Sequence, residues 1–268
     1  MTTKPKGLAK IWREIKRAFQ RKTAAQIENG EFYGVELINK YSLKNYVDAF
    51  FAKQTPARML HDYLARSILK KLTGKVIEIG AISSRNYYET STVNAEKYIK
   101  TNLYPDSEAI LMLDATNMDL EDNSVDGIIC LAVLEHIYDY DKALSEFYRV
   151  LKPGGTLVIS APFLYGFHAA PCDYFRFTHS FWREKMKEYQ EIKIYQIGNK
   201  CSVIAHLLRC KGIKGFLFAN LCTLFFMKIS TYYKKPDRHA LLYLVLAVKD
   251  GGATCENIPG SYETYPKT

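Results

Sequence analysis

Cysteine pairs at metal-binding spacing are missing from this 268-residue chain. Its six cysteines (Cys130, Cys172, Cys201, Cys210, Cys222 and Cys255) are scattered. His168 with Cys172 has no second half, so no metal site is expected. No apolar leader opens the chain, which sets free thiols and a cytoplasmic location as the expectation. The longest apolar run is short as well: residues 215–227 are 13 positions between Lys214 and Lys228. As a helix it would reach ~20 Å against the ~30 Å of a hydrocarbon core, which disfavours a transmembrane span. Glycines are lacking where a dinucleotide fingerprint needs them, because Ile82 and Arg85 stand two and five positions after Gly80. With no P-loop lysine motif either, NAD, FAD and nucleoside triphosphates are poor fits. Internal repeats are absent.

Net charge is the next thing the body of the chain has little of. The formal charge is +9. Residues 1–22 hold eight basic side chains against Glu14 alone, a net of +7, and residues 23–268 hold 29 basic and 27 acidic ones. A nearly neutral body lacks the basic track that nucleic acid requires, so no nucleic-acid partner is expected. Within residues 7–20, Leu8, Ile11, Trp12, Ile15 and Phe19 form one apolar stripe opposite a cationic face. That helix either docks on the domain or lies in an anionic membrane surface, at the inner face of the membrane.

The chain divides into a basic amphipathic helix at 1–22, a helical region at 23–73 with Pro56 in a first turn, a domain over 74–250, and a flexible tail at 251–268. Within the domain, strands are expected at 75–80, 97–102, 109–114, 125–131, 156–161, 192–197 and 241–248. Helices are expected after Gly80, at 141–151 and near 180–189, with Lys152-Pro153-Gly154-Gly155 stopping the second. An apolar helical insertion occupies about 200–235. Strands alternating with helices imply a mostly parallel sheet covered on both faces, an α/β fold.

Ligands of such sheets bind outside the carboxyl ends of the strands. The candidates are therefore Glu78 and Gly80, Asn102, Asp114 and Ala115, Leu131 to His136, and the loop after residue 161. Gly80 lets backbone approach a ligand closely, or is simply a glycine in a tight turn. Glu135 and His136 are either a helix-start acid with a half-buried histidine or groups facing a substrate. His168 has the chemistry of a general base, and Asp173 of a group that orients it. Arg176 suits an anionic substrate group, or else pins the loop by pairing with Asp173.

Taken in order, Val76-Ile77-Glu78-Ile79-Gly80, Leu113-Asp114-Ala115, Asp122 to Cys130, Leu134-Glu135-His136-Ile137 and Arg149 to Gly155 resemble the class I S-adenosylmethionine-dependent methyltransferases, type 11, the small-molecule branch. The block from His168 to Thr178 resembles a subgroup associated with surface-glycan biosynthesis. The resemblance implies a Rossmann-like doubly wound sheet with an antiparallel last strand, and S-adenosyl-L-methionine as cofactor. It implies that Glu78 meets the ammonium of the cofactor and Gly80 its methionine end. Asn102 would take the ribose, Asp114 and Ala115 the adenine, and Leu131 the adjoining pocket wall. His168 and Asp173 would be catalytic, with His136, Tyr174 and Arg176 binding a small-molecule acceptor such as a sugar or glycolipid intermediate. Ile82, Ser84 and Asn102 depart from the family pattern of two further glycines and an acid. They favour the alternative, a non-catalytic module of the same fold that binds a membrane or partner.

Overall fold

The computed structural model describes residues 34–38, 56–83, 93, 95–169, 171–207, 236 and 238–251. The basic N-terminal helix, the helix expected after Gly80, most of the apolar insertion and the C-terminal tail lie outside the described residues.

Eight strands form one sheet: β1 (Val35–Ile38), β2 (Lys75–Ile79), β3 (Lys97–Asn102), β4 (Leu111–Met112), β5 (Val125–Leu131), β6 (Leu151–Pro162), β7 (Glu191–Ile197) and β8 (Leu242–Val248). Their spatial order is β1-β7-β8-β6-β5-β2-β3-β4. All neighbours are parallel except β8, which runs antiparallel to both β6 and β7. The order reverses beside β2, and that reversal opens a crevice at the carboxyl ends.

Alternate residues of each central strand enter different cores, because a strand points successive side chains to opposite faces. Ile77, Ile79, Ile128, Ile159 and Val245 join Phe147 and Trp182 on one face, while Val76, Ile129, Val158 and Leu244 join Leu60, Ile68 and Leu69 on the other. Both faces are thus buried, which is why these strands are largely apolar. Helix α1 (Pro56–Leu69) covers the second face with Ala57, Leu60, Ala65, Ile68 and Leu69. Helix α2 (Tyr140–Val150) covers the first with Ala143, Leu144, Phe147 and Val150, and starts at Asp139, whose side chain accepts the Lys142 amide at 3.3 Å. Truncating the fully buried Phe147 would cost about 3–5 kcal/mol. Helices α3 (His179–Lys185) and α4 (Lys200–Leu207) flank β7.

Three expectations need correction. Residues 23–73 are not uniformly helical, because Val35-Glu36-Leu37-Ile38 extends and pairs with β7 from Ile194 to Ile197. Strand β4 is cut to Leu111–Met112, and only a turn closed by the Ile110 amide on the Ser107 carbonyl precedes it. Strand β6 begins at Leu151, and Lys152 to Gly155 bulge out of the ladder between the pairs Val125–Leu151 and Gly127–Thr156.

Candidate active site at the carboxyl edge of the sheet

The loops after β2, β3, β4, β5 and β6 converge on this edge. Gly80 leaves β2 with φ of +76°, and a Cβ there would lie 2.4 Å from Cγ2 of Val133. Both the backbone angle and the packing require glycine. Val133 follows Ala132, a non-glycine residue at φ of +56° whose amide donates to the Ser160 carbonyl. Such a conformation is strained for a non-glycine residue and is held here by the surrounding packing. The sequence carries no signal for it.

Two clamps hold the turn after Gly80. The Asn102 amide donates to the Ala81 carbonyl at 2.7 Å, and its oxygen accepts the Tyr104 amide at 3.2 Å. Asp106 accepts the Ser83 amide at 3.0 Å and its hydroxyl at 2.8 Å. Asn102 is therefore first a fastener of the turn. Ile82 and Ser83 sit in a loop fixed by side chains, where the family pattern relies on glycines; Ser84 lies outside the described residues.

Glu78 faces Lys100 across the β2–β3 ladder and accepts a short hydrogen bond from the Tyr98 hydroxyl. Burial raises its carboxyl above the usual range, against the lowering effect of Tyr98 and Lys100. A nearby ammonium would relieve that penalty. Asp114 is exposed, and its Oδ1 accepts both the amide and the hydroxyl of Thr116 at 2.8 Å, which leaves Oδ2 for an outside donor. Ala115 is buried beside it. Leu131 ends β5, half-buried. A half-buried acid, a glycine turn and an oriented exposed acid on one edge fit the polar ends of S-adenosylmethionine.

A second cluster lies after β5 and β6. Glu135 sits in a single 3-10 turn, Leu134–His136, rather than opening an α-helix. It is fully buried, and neither carboxylate oxygen has a hydrogen-bond donor. His136 Nε2 lies 3.8 Å from its Oε1, and His168 Nε2 lies 3.7 Å from the same atom. The Glu135 carboxylate, at 3.7 Å too far for a hydrogen bond but close in charge, raises the His168 pKa above the ordinary imidazole value against the opposing effect of partial burial. Asp173 lies 3.3 Å from His168 Nδ1 and accepts the His168 amide at 2.9 Å. The structure thus brings His136, His168 and Asp173 together around a glutamate.

Arg176 is not free to meet a substrate anion. Its Nε–H donates to the Tyr165 carbonyl, and its remaining N–H groups reach Asp173 at 2.5 and 2.6 Å and the carbonyls of Gly166 and Phe175. All five donors are engaged, and the guanidinium beside Asp173 holds that carboxyl far below the usual range. Tyr174 is half-exposed, edge-on to Tyr138 at 5.3 Å, and its amide donates to the Glu135 carbonyl at 2.8 Å.

Beneath the edge, the Ser160 hydroxyl donates to His61 Nε2 at 2.9 Å, and His61 Nδ1 donates to Asp62 at 2.8 Å. Burial lowers the His61 pKa, so the imidazole is neutral. All three are buried, which makes this a packing network rather than a nucleophile. Nothing in the spacing of His61 and Ser160 announces it.

Residues 75–159 match a methyltransferase domain family, covering β2 to β6. S-adenosylmethionine is the cofactor that follows. The chain is 29% identical over 127 residues to a demethylmenaquinone methyltransferase of Desulfitobacterium hafniense, which is 45% of this chain and 50% of that protein. It is 29% identical over 92 residues to a ubiquinone/menaquinone biosynthesis C-methyltransferase of Haemophilus ducreyi, 34% of this chain and 30% of that one. These matches span half or less of the relatives' own length. A solved S-adenosylmethionine-dependent methyltransferase from Archaeoglobus fulgidus superposes with a TM-score of 0.48 at 16% identity, covering 76% of this chain and 99% of that one. Among the described residues no helix is long and apolar enough to cross a membrane.

Proposed function

We propose that this chain transfers the methyl group of S-adenosylmethionine to a hydroxyl of a small molecule, a sugar or glycolipid intermediate. The observation that carries the reading is the convergence of Glu78, Gly80 and Asp114 on one edge of the sheet, within the matched segment. The cofactor, when bound, supplies an electrophilic methyl carbon on a sulfonium. Glu78 would neutralise the ammonium, Gly80 would bring backbone against the methionine end, and Asp114 Oδ2 and the Ala115 amide would take the adenine. Asn102, engaged with Ala81 and Tyr104, would reach the ribose only with its remaining donor or lone pair. Leu131 would close the pocket wall.

On the acceptor side, His136 and Tyr174 would hold the small molecule beside the Glu135–His168 cluster. His168 would receive the hydroxyl proton at Nε2, and Asp173 would orient the ring from Nδ1. The demethylmenaquinone methyltransferase relatives make a menaquinone-type compound, methylated at carbon, the rival acceptor. Either acceptor fits a basic N-terminal helix resting on an anionic membrane from the cytoplasmic side, and flotation of the full chain with anionic vesicles tests that placement.

Calorimetry with S-adenosylmethionine and S-adenosylhomocysteine is the primary test. Micromolar binding that weakens at least tenfold in Asp114→Ala is expected. No binding to either at millimolar concentration would sink the reading and leave the non-catalytic module, for which the committed side chain of Asn102 is the favouring observation.

A further inference from the structure

We propose that Glu135, His136 and His168 form a binding site for a divalent transition cation, of the Zn2+, Co2+ or Fe2+ class. One ligand atom from each of the three residues lies within 4.8 Å of the other two. The carboxylate-to-imidazole distances are 3.8 and 3.7 Å. Ligand atoms about 2.0–2.1 Å from a tetrahedral cation stand about 3.3 Å apart, so shifts of a few tenths of an ångström close the two carboxylate edges, and the imidazole–imidazole edge closes by ring rotation of up to about 1.5 Å.

The tautomers are set for ligation. His136 Nδ1 lies 2.5 Å from the Cys172 carbonyl, and His168 Nδ1 lies 3.2 Å from the Gly166 carbonyl and 3.3 Å from Asp173. Carbonyls and carboxylates only accept, so each Nδ1 carries a proton, and each Nε2, once deprotonated, turns a lone pair toward Glu135. Metal-bound histidines are held in this way, with the far ring nitrogen donating to an oxygen behind it. Arg176 fixes Asp173 in turn, which makes the loop a rigid second layer.

The second observation is Glu135 itself. Its side chain is 0% exposed, and neither oxygen receives a hydrogen bond. A buried carboxylate without donors is costly unless a cation meets it. Either a proton on His168 or a metal ion between the three groups meets it, and the metal competes with that proton for the same Nε2. Two nitrogens and one oxygen leave open positions for further ligands. The side of the cluster toward solvent is His168, 37% exposed, so those positions face the loop after β6.

The role of the ion rests on the methyl-transfer reading. A cation here would take the acceptor through its oxygen, which selects hydroxyl-bearing acceptors over amines, and would lower the pKa of that hydroxyl. Coordination then replaces proton capture by His168, whose Nε2 is engaged by the metal, and the hydroxyl proton passes to solvent.

The test uses the full chain, stripped with a chelator and titrated with Co2+ and Zn2+. One site at micromolar affinity or tighter is expected. Glu135→Gln and His168→Gln should each weaken it at least about a hundredfold, while S-adenosylhomocysteine binding stays within twofold. Cys172→Ser should leave the affinity unchanged. X-ray absorption of the Zn2+-loaded wild-type chain is independent of any variant's folding, and should show two imidazoles and no sulfur. Sulfur ligation, millimolar affinity, or equal affinity in the two variants would overturn the site. Metal binding without cofactor binding would refute methyl transfer and leave the site standing; cofactor binding without metal binding would do the reverse.

Discussion

Val133 occupies the space in which a side chain on Gly80 would stand. A Cβ built on Gly80 meets Cγ2 of Val133 at 2.4 Å and Cγ1 at 2.9 Å. The first loop of the cofactor edge is thereby keyed to the turn after β5. Gly80→Ala combines a left-handed backbone with overpacking, and the expected cost is about 2–4 kcal/mol. Val133→Ala removes both γ-carbons, so the double variant should recover the packing part and retain the backbone part. Denaturant unfolding of the four proteins measures the coupling; strict additivity would show that the two loops do not touch in solution.

Glu78→Gln should trade stability against binding. Burial raises the Glu78 carboxyl, so the folded chain holds that proton more tightly than the unfolded chain. Its contribution to stability is full below the unfolded pKa and is lost as pH rises through the folded one. At pH 7 the glutamine variant, which cannot ionise, should melt above wild type without ligand. S-adenosylhomocysteine should bind it about tenfold more weakly, ~1.4 kcal/mol, for want of a charge opposite the ammonium. A variant that melts lower and binds equally well would remove Glu78 from the cofactor site.

Much of this edge is legible in the chain order. The strand at 125–131 falls where its largely apolar run places it, because both faces of a central strand need apolar side chains, whereas Lys97–Asn102, mostly polar and half-buried, is placed by its position between turns. Gly80, Asp114 and Ala115 can be named as candidates from their places after strands. Strand β1 escapes notice because four residues exist as a strand only through pairing with β7, which is distant in sequence. Arg176 illustrates a different limit. Its charge suggests an anion, but its five acceptors are mostly carbonyls, and no side-chain pattern encodes a backbone carbonyl. The triangle of Glu135, His136 and His168 joins two loops through the β5–β6 pairing, so a local spacing search for metal ligands passes over it.

Asp126 ties the start of β2 to the bulge in β6. Its Oδ2 accepts the Lys75 amide at 2.8 Å, and the Lys152 ammonium reaches its two oxygens at 2.8 and 2.9 Å. Partial burial pushes its carboxyl up, but the Lys152 and Lys75 hydrogen bonds outweigh that and hold it below the usual range. A depressed carboxyl contributes stability above its unfolded pKa, and that contribution is lost as pH falls through the folded value. Asp126→Asn should cost about 1 kcal/mol at pH 7, a figure already reduced for solvent screening of a partly exposed pair. The gap should close in acid, below about pH 4. A gap that persists unchanged at pH 3 would mean that packing against Gly74, rather than charge, is what the residue supplies.

Arg176 separates a loop fastener from a substrate clamp. The Asp173 side chain is 1% exposed and pairs with the guanidinium through both oxygens. Arg176→Ala would leave a buried carboxylate facing only the His168 amide and ring, and the expected loss is about 3 kcal/mol. Asp173→Asn in the same chain removes that orphaned charge and should restore part of the stability, so the double variant should be more stable than Arg176→Ala alone. A substrate clamp would behave otherwise. Its loss would raise KM with little change in melting temperature, and a second change at Asp173 would restore nothing. Melting curves with and without acceptor on the three variants decide between them, because only the fastener couples Arg176 to Asp173 in the free protein.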